Sequence, residues 1–279
     1  MPDWRPLVVR RKDGYPRIMG VINITPDSFF EDSRSNNISE IIKIAQSMIQ
    51  NGADWLDVGG ESTRPGAEPV EEEEEISRVV PVIRELRKKF PEIGISVDTR
   101  RSEVAKLSLE EGADMINDIS ALSDGNMINV IKQSDCYICL MHMKGLPENM
   151  QDNPQYEDVV AEVRSRLNEK VSLLIREGIN RERIIVDPGI GFGKSLEHNL
   201  LLLKSGREII PMSNVRLMWG VSRKSMFSEL LGRIETRDRL AGTLGIAAMS
   251  KLKAVDIIRV HDVAEHADLF RAMSSLEDY

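Results

Sequence analysis

Asp98, Asn117, Asp187 and Lys224 stand at the ends of four separate short apolar runs, and together they offer two carboxylates, an amide and an ammonium. That set suits the edge of a planar, polar heterocycle. A carboxylate such as Asp187 accepts the paired N–H donors of an amino-oxo pyrimidine, while Lys224 and Asn117 address its oxygen and ring nitrogens. The same four residues could instead satisfy one another as an internal salt-bridge cluster. Arg259 and His261 are separated by one residue, so on an extended segment both project to one side. Two donors on one side suit an anion, and the arginine fork suits phosphate or pyrophosphate in particular. Ser222-Arg223-Lys224-Ser225 reads as the opening of a helix, whose free N–H groups and hydroxyls would hold a carboxylate at the same mouth.

Other motifs fail on inspection. Gly193-Lys194-Ser195 resembles the end of a phosphate-binding loop, but the position of that loop's first glycine holds Pro188. Gly189-Ile190-Gly191-Phe192-Gly193 misses the dinucleotide pattern, whose third glycine falls on Lys194. These glycines instead permit a tight turn and close ligand approach, with Phe192 as an aromatic wall. Cys136 and Cys139 have the spacing of a metal or redox pair. Their segment reads as a buried strand, however, in which positions three apart face opposite sides about 10 Å apart, so packing is expected of both. No Ser-His-Asp order and no metal-ligand spacing stands out.

The elements that must position these residues follow from periodicity. Short apolar runs alternate with stretches of helical period from Ile18 almost to the end. Strands are expected at Ile18 to Ile24, Trp55 to Val58, Ile95 to Val97, Met115 to Asn117, Tyr137 to Met141, Ile184 to Val186, Arg216 to Val221 and Ile257 to Val260. Helices are expected at Ile38 to Gln50, Glu71 to Lys89, Ser102 to Glu111, Met127 to Gln133, Tyr156 to Glu177, Leu196 to Arg207, Asp238 to Leu252 and Val263 to Ser274. Eight strands each followed by a helix predict an α/β chain folded as a closed (β/α)8 TIM barrel, with chemistry gathered at the C-terminal mouth of the strands. An open Rossmann-like sheet is the alternative. The repeated turns Asn51-Gly52-Ala53-Asp54 and Glu111-Gly112-Ala113-Asp114 fit helix stops on the opposite face. Leu7 to Arg11 and Tyr15 to Ile18, around Gly14, are expected to form a short N-terminal β-hairpin, and the acidic run Glu71 to Glu75 a solvated first helical turn.

No composition break divides the 279 residues, so one domain is expected over 1–279. The net charge of −8 discourages nonspecific adhesion to DNA or anionic lipid. No apolar run approaches the roughly 20 residues of a membrane helix, and the first residues lack the apolar stretch of a signal peptide. A cytoplasmic protein with neither nucleic-acid nor membrane partners is expected.

Met19-Gly-Val-Ile-Asn23-Ile-Thr-Pro-Asp-Ser28-Phe and Asp57-Val-Gly-Gly-Glu-Ser-Thr-Arg-Pro-Gly66 closely resemble segments of the dihydropteroate synthase family. Ser96-Val-Asp98-Thr, Ile116-Asn117-Asp-Ile, Met141-His-Met, Asp187-Pro-Gly-Ile-Gly-Phe-Gly-Lys194, Ser222-Arg-Lys224-Ser and Arg259-Val-His261-Asp follow in the family's order. The resemblance covers almost the whole chain and implies a TIM barrel that joins a dihydropterin pyrophosphate to 4-aminobenzoate, in folate biosynthesis, as a homodimer. By matching positions it implies pterin contacts from Asp98, Asn117, Asp187, Lys224, Met141 and Gly220. It likewise implies that Asn23, Arg64, Arg259 and His261 meet the pyrophosphate, that Asn23 meets a Mg2+ ion, and that Thr63, Pro65, Phe192 and Ser225 frame the aminobenzoate. The catalytic set is then Asp98, Asp187, Lys224, Arg259 and His261, with the first two loops as a lid. One stretch departs from the pattern: Phe30-Glu31-Asp32-Ser33-Arg34-Ser35 replaces the small, glycine-containing stretch of many members, which bears on closure and on the aminobenzoate pocket. A pterin-dependent methyltransferase and a noncatalytic pterin-binding protein of the same fold are the alternatives.

Overall fold

The computed structural model describes residues 7–24, 34–61, 70–145, 150, 153–210 and 212–277. Among them, eight parallel strands close into a barrel in chain order, β1 beside β2 and so on to β8 beside β1. The strands are β1 (Arg17–Asn23), β2 (Trp55–Gly59), β3 (Gly94–Asp98), β4 (Met115–Asp118), β5 (Tyr137–Met141), β6 (Ile184–Asp187), β7 (Arg216–Trp219) and β8 (Ile257–Val260). Around them run α1 (Arg34–Gln50), α2 (Glu72–Lys89), α3 (Ser102–Glu110), α4 (Met127–Lys132), α5 (Val159–Arg176), α6 (Leu196–Ser205), α7 (Met226–Leu231), α8 (Leu240–Ala248) and α9 (Val263–Glu277). The open-sheet alternative is thereby excluded. No helix among the described residues is long and apolar enough to cross a membrane.

Strand parity decides what the barrel encloses, because alternate side chains of a strand face opposite sides. The lower lumen is filled by Met19, Trp55, Met115, Cys139, Ile185, Met218 and Ile257, with Val8 closing it from below. Two residues further along the same strands stand Val21, Asp57, Asn117, Met141, Asp187, Gly220 and Arg259. Register brings Asp98 beside Gly59 and Asn117, at the same height. The enclosed column therefore changes from an apolar floor to a polar ring within one side-chain step. The opposite parity, including Leu56, Val58, Ile116, Leu140, Val186, Leu217 and Ile258, packs outward in the barrel's large apolar cluster. Cys136 belongs to that cluster and Cys139 to the lumen, so the two thiols are buried, free and on opposite sides.

At the far end of the barrel, the aspartate that ends three of the αβ loops caps the strand next door. Asp54 Oδ2 accepts from Ile18 N at 2.8 Å, Asp114 Oδ2 from Ile95 N at 2.9 Å and Asp256 Oδ2 from Leu217 N at 2.9 Å. Gly52 and Gly112 take left-handed φ values of 101° and 103° at two of these turns, as expected of helix stops.

The expected N-terminal hairpin is not a ladder. Gly14 makes the predicted reversal, with Gly14 N donating to Arg11 O, but residues 7–16 contain no strand. Side chains from the barrel's base take the hydrogen bonds a partner strand would have made: Trp55 Nε1 donates to Leu7 O and Arg17 Nε to Val9 O. The acidic run also differs from expectation. Glu71 and Glu73 are exposed, yet Glu75 is fully buried and paired with Arg101, because its place on α2 faces the sheet with Val79 and Val82. In the last third, the helical stretch expected at Asp238 to Leu252 is a short turn over Thr236–Arg239 leading into α8. The helix expected after Lys224 is α7, ended by Gly232 at φ 67°.

Candidate active site

The polar ring at the mouth is organised around Arg259. Its Nε donates to Asp57 Oδ2 at 2.5 Å and its Nη2 to Asp98 Oδ2 at 2.6 Å, so one guanidinium bridges two carboxylates from β2 and β3. Asn117 Nδ2 donates to the same Asp57 oxygen at 3.3 Å. Burial works against the Arg259 charge, but Asp57 and Asp98 more than offset it and hold the group above its ordinary value. Burial pushes the Asp98 carboxyl up; Arg259 pulls it back, while Asp57 and Glu75 push the same way as burial.

Asp187, at the end of β6, accepts Gly189 N on Oδ1 at 2.7 Å. Burial raises its pKa, with the Gly189 N–H and Lys224 opposing. Lys224 reaches the same space from the loop after β7, with Nζ 3.9 Å from the centre of the Phe192 ring. Burial lowers its pKa to about 8, against the pull of Asp187. Gly220 leaves room here, since a Cβ on it would lie 3.3 Å from Asp187 Oδ2. Met141 and Phe192 join Ile119 and Met150 in a small apolar cluster at the mouth, which gives a flat ligand an oily side.

The loop after β6 is fixed by a lysine. Lys194 is buried, and its Nζ lies 2.9 Å from Gly189 O, 2.8 Å from Phe192 O, 3.3 Å from His142 O and 3.1 Å from His142 Nδ1. It thus ties the β5 and β6 loops together beneath Phe192. Burial lowers the His142 pKa to about 3, helped by Lys194, so the ring is neutral and Nδ1 can accept. The resemblance of Gly193-Lys194-Ser195 to a phosphate loop is therefore superficial; the lysine faces carbonyl oxygens. Ser195 caps α6 instead, accepting from His198 N.

The structure brings Asp98, Asn117, Asp187, Lys224, Met141, Gly220, Phe192 and Arg259 to one mouth. Asn23 and His261 also end inward-parity positions but are exposed at the rim. His261 Nδ1 lies 3.0 Å from Ser222 Oγ, which also accepts His261 N at 3.1 Å, so this serine braces β8 rather than waiting for a carboxylate. Arg223 likewise turns aside: it forks onto Asp262 with bonds of 2.8 and 2.6 Å. Ser225 is exposed at the start of α7. Thr63, Arg64 and Pro65, and the departing stretch from Phe30 to Ser33, lie outside the described residues. Two further members, Asp57 and Lys194, are not evident from the sequence as site residues. Asp57 had a usable signal, since it shares parity with Trp55 in an otherwise apolar run.

A closed (β/α)8 barrel whose C-terminal mouth gathers carboxylates, an amide and cations over an apolar floor is an enzyme architecture for a small polar substrate. The chain matches the family model described as pterin binding enzyme over residues 19–261. It is 42% identical to the dihydropteroate synthase of Escherichia coli K12, over 94% of this chain and 92% of that protein. It is 43% identical to that of Neisseria meningitidis serogroup C, over 94% and 93%. Among solved structures, the Yersinia pestis dihydropteroate synthase with a sulfonamide drug complex superposes with a TM-score of 0.88 at 36% identity, covering 96% of this chain and 97% of that one. The Burkholderia cenocepacia dihydropteroate synthase complexed with 7,8-dihydropteroate gives 0.85 at 35% identity, covering 94% and 92%. The chain belongs to the dihydropteroate synthase family.

Proposed function

We propose that this chain condenses 6-hydroxymethyl-7,8-dihydropterin pyrophosphate with 4-aminobenzoate, giving 7,8-dihydropteroate and pyrophosphate. The observation that carries this reading is the convergence of Asp98, Asn117, Asp187 and Lys224 on one mouth of a closed barrel. The bond from the hydroxymethyl carbon to the pyrophosphate oxygen breaks first, and its electron pair leaves with pyrophosphate. The cation left on carbon is stabilised through the electron-rich pterin, held by Asp187 at its amino edge and faced by Asp98. The amine lone pair of 4-aminobenzoate then forms the new carbon–nitrogen bond, and the nitrogen sheds one proton. No strong base is required before attack, because the electrophile is already a cation. Phe192, backed by Lys194, would form one wall for the aromatic amine.

Magnesium enters with the pyrophosphate as part of the substrate. Among the described residues no group of three or more His, Cys, Asp and Glu side chains could hold a metal. Asn23, exposed at the end of β1, offers a single amide oxygen, which fits an ion that takes its other ligands from phosphate and water. Held there by Asn23 and the pyrophosphate, such an ion would neutralise charge on the leaving group. Arg259, His261 and Arg64 would supply the protein's share of that neutralisation.

We also assign the protein to the cytoplasm, which suits its two free cysteines, and to a homodimer formed through its late helices. Leu200 and Leu201 on α6, Leu230 and Leu231 on α7, and Ile234 just beyond are exposed and support that surface. Sedimentation at micromolar concentration checks it; a monomer would remove the assignment.

Two expectations test the roles. The pH profile of kcat/KM should have an acid limb above about 4, the ordinary carboxylate value, because Asp98 must be ionised and its burial raises its pKa. A limb at the ordinary value would mean Asp98 is not the titrating group. Arg259→Ala should weaken inorganic pyrophosphate by about tenfold or more and flatten the salt dependence, while affinity for plain 6-hydroxymethylpterin stays nearly intact. Calorimetry with the two ligands decides; equal losses would place Arg259 in the pterin site.

A further inference from the structure

Asp57 is fully buried, and only one of its oxygens is occupied. Oδ2 takes both Arg259 Nε and Asn117 Nδ2, whereas Oδ1 is enclosed and has no hydrogen-bond partner. A buried ionised oxygen left unpaired is costly, and such groups call for an explanation. Arg259 supplies one. A guanidinium pairs best with a carboxylate through two parallel N–H···O bonds, and here the second bond goes instead to Asp98 Oδ2.

We propose that Asp57 is a positioning residue that receives Arg259 from Asp98 when a pterin binds: Nε stays on Asp57 Oδ2 as a pivot while Nη2 passes from Asp98 Oδ2 to Asp57 Oδ1. The exchange makes a forked pair with Asp57 and uncovers the Asp98 carboxylate toward the ligand. Geometry makes the move short, because one guanidinium already touches both acids and the receiving oxygen belongs to the acid that holds the pivot. Charge supports it as well. With Arg259 bridging, Asp98 is neutralised by a neighbour at 2.6 Å and is a weakened acceptor for a pterin N–H or for a cation beside it. Asp57 pairs with Arg259 alone after the exchange, so the Asp98 oxygen that Nη2 occupied is open to the ligand, whose N–H donors take over from the guanidinium in holding its charge. The inference rests on the pterin reading given above, and its role for Asp57 lies wholly behind the ligand-facing residues.

The test uses the full-length protein and 6-hydroxymethylpterin as the probe. In a crystal structure of that complex, Arg259 Nη2 should lie within hydrogen-bond reach of Asp57 Oδ1 and beyond about 3.5 Å from Asp98 Oδ2. A complex in which the guanidinium still bridges both acids would overturn the proposal and leave the pterin reading standing. Asp57→Asn keeps the shape but cannot take Arg259 as a charged fork. It should therefore weaken 6-hydroxymethylpterin by about tenfold or more and change the affinity for inorganic pyrophosphate by less than about threefold. Equal weakening of both ligands, or none for the pterin, contradicts the exchange. If that variant does not fold, the crystal comparison alone decides. A native protein that binds no pterin would bring down the functional reading and this proposal together.

Discussion

Asp187→Asn is expected to lower kcat/KM by about 2 to 4 kcal/mol of transition-state stabilisation while leaving the fold intact. The native carboxylate has one oxygen on Gly189 N and its charge opposite Lys224. An amide in its place offers one acceptor instead of two and turns an N–H toward donors of the pterin edge. A second consequence follows at Lys224. Burial already lowers that lysine to about 8, and Asp187 is the main group holding it up, so without the carboxylate its charge becomes harder to keep. Both effects act on bound pterin and neither needs a change in the barrel. Steady-state kinetics alongside thermal unfolding check the split; unchanged efficiency would remove Asp187 from the site.

The largest stability effect is expected from Gly189→Ala, at about 3 to 5 kcal/mol. Gly189 has a left-handed φ of 67°, and a Cβ there would lie 1.8 Å from the backbone oxygen of His142. That obstacle is main chain, which cannot swing away as a long side chain would. Moving it would also disturb Lys194, which bonds to His142 O and Gly189 O together, and through it the Phe192 wall. Activity should therefore fall with stability, although Gly189 presents no side chain to a substrate. Urea unfolding measures the cost; a loss under about 1 kcal/mol would show that the β5 and β6 loops are not rigidly locked.

The barrel was legible because eight short apolar runs, several closed by a polar residue, alternate with helical stretches. Asp98, Asn117 and Asp187 could be placed from the same signal, as strand-terminal residues of a barrel. The arrangement of Arg259 could not. Its partners Asp57 and Asp98 lie 202 and 161 residues away, and spacing along β8 says only which way the side chain leaves the strand. Its spacing from His261 points to an anion, and the anions it holds in the structure are the carboxylates of Asp57 and Asp98. Glu75 shows the same limit on a helix: a run of five glutamates reads as solvated, and only the packing of α2 on the sheet reveals that one of them is inside. The N-terminal reversal was visible in Gly14, but the groups that replace a partner strand are the Trp55 and Arg17 side chains, which no local pattern announces. Lys194 lies in a segment that only half matches a phosphate loop, and its grip on three carbonyl oxygens emerges only once two loops meet.

The condensation itself is tested most directly by giving the purified protein 6-hydroxymethyl-7,8-dihydropterin pyrophosphate and Mg2+, with and without 4-aminobenzoate, and following pyrophosphate and dihydropteroate together. Pyrophosphate release matched by an equal amount of dihydropteroate, when 4-aminobenzoate is present, is the predicted result. Tight pterin binding with no pyrophosphate release under any of these conditions would contradict it and return the protein to a methyltransferase or a noncatalytic pterin binder.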